Sequence, residues 1–524
     1  MPGLTGIDRS GESGVRQERQ KPIARQLLFA GIVLLAAVLR IVLLARDGLW
    51  ADECQTVFLA RVPLGDLVAM VRDETQTPGY ILLIKVVAKF FGESVLAMRL
   101  PSALFGTAAV GVCWVAAGRL LSQRLAPCAA FLLAVSPMAV HYSQEARAYG
   151  LLQLLVLCAV LLAVRVDDHW NWQSVGSLVA VFLAILYTHN IGVFFVFGIA
   201  AGSLIAGGLT AVRFRRWTVI GLATGVGYLP WLRHIYVQLS NISTMYGWAE
   251  NNWASEFPWQ VPRSLAALTH GSLTPIRNRA SDLPAPAWIA LFLCALLAIA
   301  AVAARRKLVR PQAPILLLMA LILPLTAQFL YCWIADTPSY TVGRNDAPAL
   351  PLMILLATAG VVAISPRLRW LVPVAFAGLA FQPLLIHYAF DFRSQEKNLA
   401  DYLNSIRNPD EVVITTSYHY SISAFVEPRF GVVHLLYPSE MESHPSWADW
   451  SRLDQRAATE DAEVVIRRAL EISRAYGGGR VWILRRLPNE YSAVLLDIAN
   501  QHLDFAAVTE IPDVEGELYE FRVK

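Results

Sequence analysis

The 524-residue sequence predicts a polytopic α-helical membrane protein of about eleven spans, followed by a soluble α/β domain. Three observations carry that reading. Apolar residues make up 56% of the chain and charged residues only 16%, against roughly 25% charged in an ordinary soluble domain. The apolar residues gather in repeated runs long enough to cross a bilayer. The charge is unevenly spread. Residues 393–524 hold 14 basic and 21 acidic residues, net −7, whereas the first 392 hold 30 basic and 19 acidic, net +11. This balance excludes a disordered chain, a basic nucleic-acid-binding protein and a single soluble enzyme domain.

Residues 1–25 are polar and basic (Arg9, Arg16, Arg19, Lys21, Arg25) and read as a disordered cytoplasmic tail. The run from Gln26 to Leu44 is too long, and its leader too extended, for a cleaved signal peptide; it reads as a signal anchor. Further spans are expected at 99–118, 125–141, 149–165, 174–189, 191–212, 217–234, 286–304, 312–334, 346–364 and 370–387. Tyr80–Phe91 carries Lys85 and Lys89 and is only a dozen residues long, so it is expected to lie on the outer surface rather than span. With it excluded and the N-terminus cytoplasmic, Arg119/Arg124, Arg213/Arg215/Arg216, Arg305/Arg306/Lys307/Arg310 and Arg367/Arg369 all fall inside, as the positive-inside rule requires.

The membrane domain is therefore read as 26–390 of a plasma (inner) membrane protein. Its outer face carries segments 46–98, 142–148, 235–285 and 335–345, and the α/β domain 391–524 is expected outside as well. The cytoplasmic loops are too short for a nucleotide-binding domain, and the chain has neither Asp-x-Asp nor GxxxxGK[ST]. Chemistry is expected on the outer face, without a soluble nucleotide as direct reactant. Most of the six cysteines sit in apolar runs and none forms a CxxC, which reads as packing.

Three outer segments carry candidate chemistry. The first begins Arg46-Asp47-Gly48-Leu49-Trp50-Ala51-Asp52-Glu53. Two adjacent carboxylates just past a membrane helix suit general-base work and leave a divalent cation open. The second, His141-Tyr142-Ser143-Gln144-Glu145-Ala146-Arg147-Ala148-Tyr149, puts polar groups at the edge of the hydrocarbon, where they need partners. Arg147 either pairs with Glu145 or holds a phosphate. The third runs Asp336 to Asp346 and contains Arg344, whose planar fork matches phosphate oxygens. Arg40, near the outer end of the first span, is expected to snorkel or to face the same anion. His189, beside Asn190, reads as an interfacial histidine before a ligand or acid/base group, and His270 and His387 read similarly. The aromatics of 235–285 (Tyr236, Tyr246, Trp248, Trp253, Phe257, Trp259) suit a membrane interface. No HxxH or HExxH supports a catalytic metal.

The order of these strings is familiar. Asp52-Glu53, then Thr77-Pro78-Gly79-Tyr80, then Arg99-Leu100-Pro101-Ser102-Ala103-Leu104-Phe105-Gly106, then Tyr142 to Tyr149 resembles bacterial members of the dolichyl-phosphate-mannose protein mannosyltransferase superfamily. These are GT-C membrane glycosyltransferases, a group that includes the lipid A aminoarabinose transferase. The resemblance covers residues 25–240. The chain departs from the family at Pro78-Gly79, where two prolines are common, and at Arg344-Asn345, where Arg-Tyr is common. The resemblance implies a polyprenyl phosphate monosaccharide donor and a lipid, glycan or protein acceptor, among membrane lipids and without nucleic acid. It implies Asp52 as the base of a single inverting displacement, with Glu53 and Glu145 orienting it or the acceptor. Arg147, Arg344, Arg40, Tyr142, Tyr149 and Gln144 are the expected donor-phosphate and substrate contacts.

The last domain alternates short strands (Val412–Thr416, Val432–Tyr437, Arg480–Leu484, Leu518–Val523) with helical stretches (Gln395–Ser405, Glu460–Tyr476, Tyr491–His502), an α/β pattern without a catalytic constellation. The alternatives are a transporter or flippase of lipid-linked sugars and a non-catalytic envelope-assembly protein. Against the first, no Gly/Pro-interrupted repeat marks the spans; against the second, such a protein has no need of Asp52.

Overall fold

A computed structural model describes residues 10–73, 76–246, 260–270, 285–335, 340, 342–389, 395–406, 408, 411–416, 434–439, 455–477, 479–485, 490–511 and 516–524. Helix α1 (Ser10–Ile41) begins inside the segment expected to be a disordered tail. The Glu, Gln and Arg residues there are good helix formers and carry the helix beyond the apolar run; residues 1–9 lie outside the described set.

Three short helices then fill the segment expected to be the first outer loop: α2 (Ala51–Arg61), α3 (Leu64–Asp73) and α4 (Pro78–Phe91). Helix α4 has 14 residues, too few to span. It buries Tyr80, Ile81 and Ile84 and exposes Leu82, Val86, Phe90 and Phe91. Pro78 starts it, with its missing N–H where no partner is needed. Gly79 follows because a Cβ there would sit 2.5 Å from the carbonyl oxygen of Tyr187.

The remaining membrane helices are α5 (Val95–Leu120), α6 (Ala126–Val135), α7 (Pro137–Ser143), α8 (Tyr149–Asp168), α9 (Trp172–Thr188), α10 (Gly192–Gly207), α11 (Ala211–Tyr246), α12 (Gln260–His270), α13 (Ala285–Ala303), α14 (Ala313–Ile334), α15 (Leu350–Gly360) and α16 (Leu371–Ala389). Six helices among the described residues are long and apolar enough to cross a membrane: Ile23–Ile41 of α1, α5, α8, α13, α14 and α16. The pair α6 and α7 makes a seventh if counted as one bent span. Helices α9 and α10 and the Ala347–Ala363 stretch are apolar but shorter. Helices α5, α8 and α14 are half-buried, while α1, α13 and α16 turn most of their apolar surface outward. Leu34, Phe292, Ile299, Val374 and Phe381 are exposed, as lipid-facing residues are. The chain is a multi-pass helical membrane protein.

The span expected as one piece over 125–141 is two helices bent by 62° at Ser136. Pro137 has no N–H for the carbonyl of Leu133, which breaks the ladder. Arg40 fills the gap. It is fully buried; Nη2 donates to Leu133 O and Nη1 to Ala134 O, each at 3.1 Å, and Nε to Ser143 Oγ at 3.1 Å. The expectation that Arg40 snorkels or faces an anion is therefore corrected: its donors satisfy carbonyls left open by the break, inside the helix bundle.

The C-terminal residues form a five-stranded sheet in the order β2-β1-β3-β5-β4, with β1 (Val412–Thr415), β2 (His434–Leu436), β3 (Arg480–Arg485), β4 (Leu503–Glu510) and β5 (Glu517–Val523). Strand β1 is parallel to β2 and β3; β5 is antiparallel to β3 and β4. Alternate strand residues face two helical layers. Ile414 and Ile483 meet α18 (Gln455–Tyr476) and α19 (Glu490–His502), and Val413 and Trp482 meet α17 (Gln395–Ile406). Four of these strands and all three helices match the expected segments. Strand β4 was not expected, because it follows α19 without a break and is exposed along most of its length.

Candidate active site

The sequence-predicted residues meet where α2 begins, between α7 and α8 and at the turn before α15. Glu53 is fully buried and forms a bidentate pair with Arg99, at 2.8 Å to Oε1 and 2.6 Å to Oε2. Arg99 also donates to the carbonyls of Leu44 (3.0 Å), Asp47 (3.1 Å) and Gly48 (2.7 Å). Glu53 in turn accepts the backbone N–H of Trp50 (3.3 Å) and of Ala146 (2.7 Å). One ion pair thus ties the 44–53 turn to the α7–α8 connection. Arg99 stands in the Arg99–Gly106 string, which by itself marks no role for it. Its signal is an arginine near the end of an apolar helix, where a charge needs a partner.

That tie places Asp52 beside two arginines. Arg344 Nη2 hydrogen-bonds Asp52 Oδ2. Arg147 Nη2 lies 3.9 Å from the same oxygen, and its Nη1 donates to Asp52 O (3.0 Å) and Thr56 Oγ1 (3.3 Å). Burial is the largest influence on Arg147 and opposes its charge, but Asp52, Tyr149 and Glu145 act together against it, and the pKa stands above the ordinary value. Gly343 supplies the turn before Arg344 with φ +81, a left-handed conformation that glycine adopts freely. Arg344 Nε donates to Tyr149 OH at 2.7 Å, and Tyr142 OH donates to Gly343 O at 2.5 Å. The Tyr142 and Tyr149 rings lie 4.7 Å apart, and His189 lies 5.6 Å beyond Tyr149. His189 Nδ1 accepts the Ile191 N–H at 3.2 Å, which requires that nitrogen unprotonated.

Asp52, Arg147, Arg344, Tyr142 and Tyr149 are brought together. Four expected site residues have other partners. The Gln144 amide donates to the carbonyls of Leu39 (3.1 Å), Arg40 (3.3 Å) and Val42 (3.1 Å) and so caps α1, while its oxygen meets His387 Nε2 at 2.8 Å. Glu145 pairs with His141 at 3.1 Å rather than with Arg147. Glu53 is saturated by Arg99 and two backbone N–H groups. Arg40 is the bundle residue described above. Among the described residues no group of three His, Cys, Asp or Glu side chains converges as metal ligands do. Cys54 is buried, with its thiol on Leu49 O. Asp336–Ser339, Thr341, Trp248, Trp253, Phe257 and Trp259 lie outside the described residues, as does the Tyr246 side chain.

Asp52 and Arg344 are about nine-tenths and three-quarters buried at the side chain, so the cluster reaches a surface. A carboxylate that accepts protons and two guanidiniums that hold an anion can serve a displacement with a phosphate leaving group.

Comparison with known proteins bears on this arrangement. The family model described as dolichyl-phosphate-mannose-protein mannosyltransferase matches residues 75–232, a stretch that includes Arg99 and Arg147 and starts after Asp52. No curated protein matches in sequence. Among solved structures, the chain is similar to apo ArnT from Cupriavidus metallidurans, at 15% identity over 95% of this chain and 98% of that one, TM-score 0.56. The same protein bound to undecaprenyl phosphate matches at 14% identity over 94% and 97%, TM-score 0.55. The Archaeoglobus fulgidus oligosaccharyltransferase with zinc and sulfate matches at 12% identity over 91% and 71%, TM-score 0.52. The fold shared with these proteins is that of the GT-C glycosyltransferases.

Proposed function

From a GT-C fold whose residues 75–232 match the mannosyltransferase family, we propose that this chain is an integral membrane glycosyltransferase. It moves one sugar from a polyprenyl-phosphate donor to a hydroxyl of a lipid, glycan or protein acceptor. The observation that carries the reading is the convergence of Arg147 and Arg344 on Asp52. The ArnT structure holding undecaprenyl phosphate supports a polyprenyl donor.

In the resting site Arg344 occupies Asp52 Oδ2, and that oxygen takes no proton. A donor phosphate competes for the same guanidinium, and as Arg344 turns to it Oδ2 is released. The acceptor oxygen then attacks the anomeric carbon while its proton passes to Asp52. The bond from that carbon to the phosphate oxygen breaks, its electrons leave with the polyprenyl phosphate, and both arginines hold the charge. The anomeric configuration inverts, and no covalent sugar-enzyme intermediate is needed.

In this reading eleven segments cross the plasma membrane, with the N-terminus cytoplasmic and the site and residues 391–524 outside. The test is transfer. Purified protein receives radiolabelled polyprenyl-phosphate sugars with envelope lipids and glycans. The expected result is labelled acceptor of inverted configuration. Intact donor that crosses a vesicle bilayer without product overturns the proposal in favour of transport.

A further inference from the structure

The displacement uses one carboxylate and two guanidiniums from three segments. A fourth segment, the α9–α10 connection, brings His189 to the same cluster. Its ring lies 5.6 Å from the Tyr149 ring, and the Arg344 guanidinium lies 6.0 Å from that same ring. The charged groups that act on His189 are Arg147 and Arg344, so the imidazole is within electrostatic reach of both. Its two nitrogens have different surroundings. Nδ1 accepts the Ile191 N–H, so the proton of the neutral imidazole is on Nε2. Among the described residues Nε2 has no hydrogen-bond partner. His189 keeps some exposed surface, and Nε2 is part of it. The connection itself is pinned. Asn190 Nδ2 donates to Gln238 Oε1 of α11 at 3.1 Å, and Gln238 Nε2 donates to the carbonyls of Val71 and Gln76 at 3.3 and 2.6 Å.

Position and chemistry together select the ligand. At its open nitrogen His189 offers a hydrogen and no lone pair. A sugar hydroxyl would need an acceptor for its own hydrogen as well, whereas a phosphate oxygen only accepts. Arg147 and Arg344 also present donors alone. A neutral third donor adds a hydrogen bond without adding a third positive charge to the pair. Held on a pinned ring, it is already oriented when the anion arrives. We propose that His189 is a substrate-binding residue whose Nε2–H donates to a phosphate oxygen of the polyprenyl-phosphate sugar, beside Arg147 and Arg344. The inference rests on the glycosyltransferase reading and adds one residue to it. The same hydrogen bond strengthens as the bond to the anomeric carbon breaks and negative charge gathers on the phosphate.

The test is binding by the full-length protein of undecaprenyl phosphate and of undecaprenol, the same chain without the phosphate. His189→Asn keeps a side-chain oxygen for the N–H two residues on and removes Nε2–H. His189→Phe keeps a ring beside Tyr149 and removes both nitrogens. Undecaprenyl phosphate should bind about 10- to 100-fold more weakly to both variants, the worth of a hydrogen bond to a charged group. Undecaprenol binding should be unchanged. Tm should hold in His189→Asn and fall in His189→Phe, which orphans the Ile191 N–H. Phosphate-lipid affinity intact in folded His189→Asn overturns the inference. An equal loss of undecaprenol binding also overturns it, because the ring then serves packing alone. A wild type that binds the phosphate lipid no more tightly than undecaprenol would instead fail the glycosyltransferase reading itself.

Discussion

Asp52 and Glu53 are neighbours in sequence with opposite surroundings. Asp52 meets two arginines at a partly open edge, and Glu53 is sealed with Arg99. Removing one partner of a buried pair leaves the other uncompensated and costs about 3–5 kcal/mol. Glu53→Gln and Arg99→Met should therefore show mainly in Tm in detergent, with transfer by the surviving folded fraction retained. Arg344→Lys should keep the charge but lose the planar fork, with a kcat loss of about 100-fold or more measured by label transfer. The acidic pair, the two tyrosines and both site arginines were legible in the sequence because polar residues at the ends of apolar spans need a reason. The pairing of Arg344 with Asp52 was not, because it joins residues 292 positions apart. Nor was the split between the two carboxylates, which depends on an arginine 46 residues away.

At the scale of the element, two breaks position the site. Pro137 bends α6 into α7, and Arg40 closes the bend. Arg40→Met should orphan the Leu133 and Ala134 carbonyls at about 1–3 kcal/mol each, lowering Tm. Undecaprenyl phosphate affinity in the folded protein should stay unchanged; a selective loss of that affinity would restore Arg40 to an anion-binding role. Gly79 allows α4 to rest on the end of α9. Gly79→Ala should cost about 1–3 kcal/mol by overpacking, read as a lower Tm. Hydropathy located the helices, since a bilayer demands long apolar runs. It missed the bend, because an apolar run containing a proline keeps its hydropathy while losing its straightness. Strand β4 escaped for a related reason: an exposed edge strand carries no inward-outward alternation to find.

For the whole molecule, the eleven-span reading places every dense basic cluster on one side. Cysteines introduced at Arg215, Arg306 and Arg367 should react with an impermeant maleimide only after the cytoplasmic side is opened, and one at Lys524 should react in intact cells. Reaction of all four from one side would break the topology. Among the described residues six helices are long and apolar enough to cross a membrane, and the bent pair makes a seventh if counted as one span. The carboxylate and both arginines come from three separate segments, the start of α2, the α7–α8 connection and the turn before α15, so the fold as a whole, rather than any one segment, assembles the site.

In the proposed reaction Asp52 takes the acceptor's proton between two phosphate-binding arginines. The most direct measurement is label transfer from a polyprenyl-phosphate sugar by the wild type and by Asp52→Asn, alongside binding of undecaprenyl phosphate to both. Transfer should fall by about 100- to 10,000-fold, with phosphate-lipid binding kept or tightened because Arg344 has lost its competing carboxylate. Undiminished transfer by folded Asp52→Asn would contradict it.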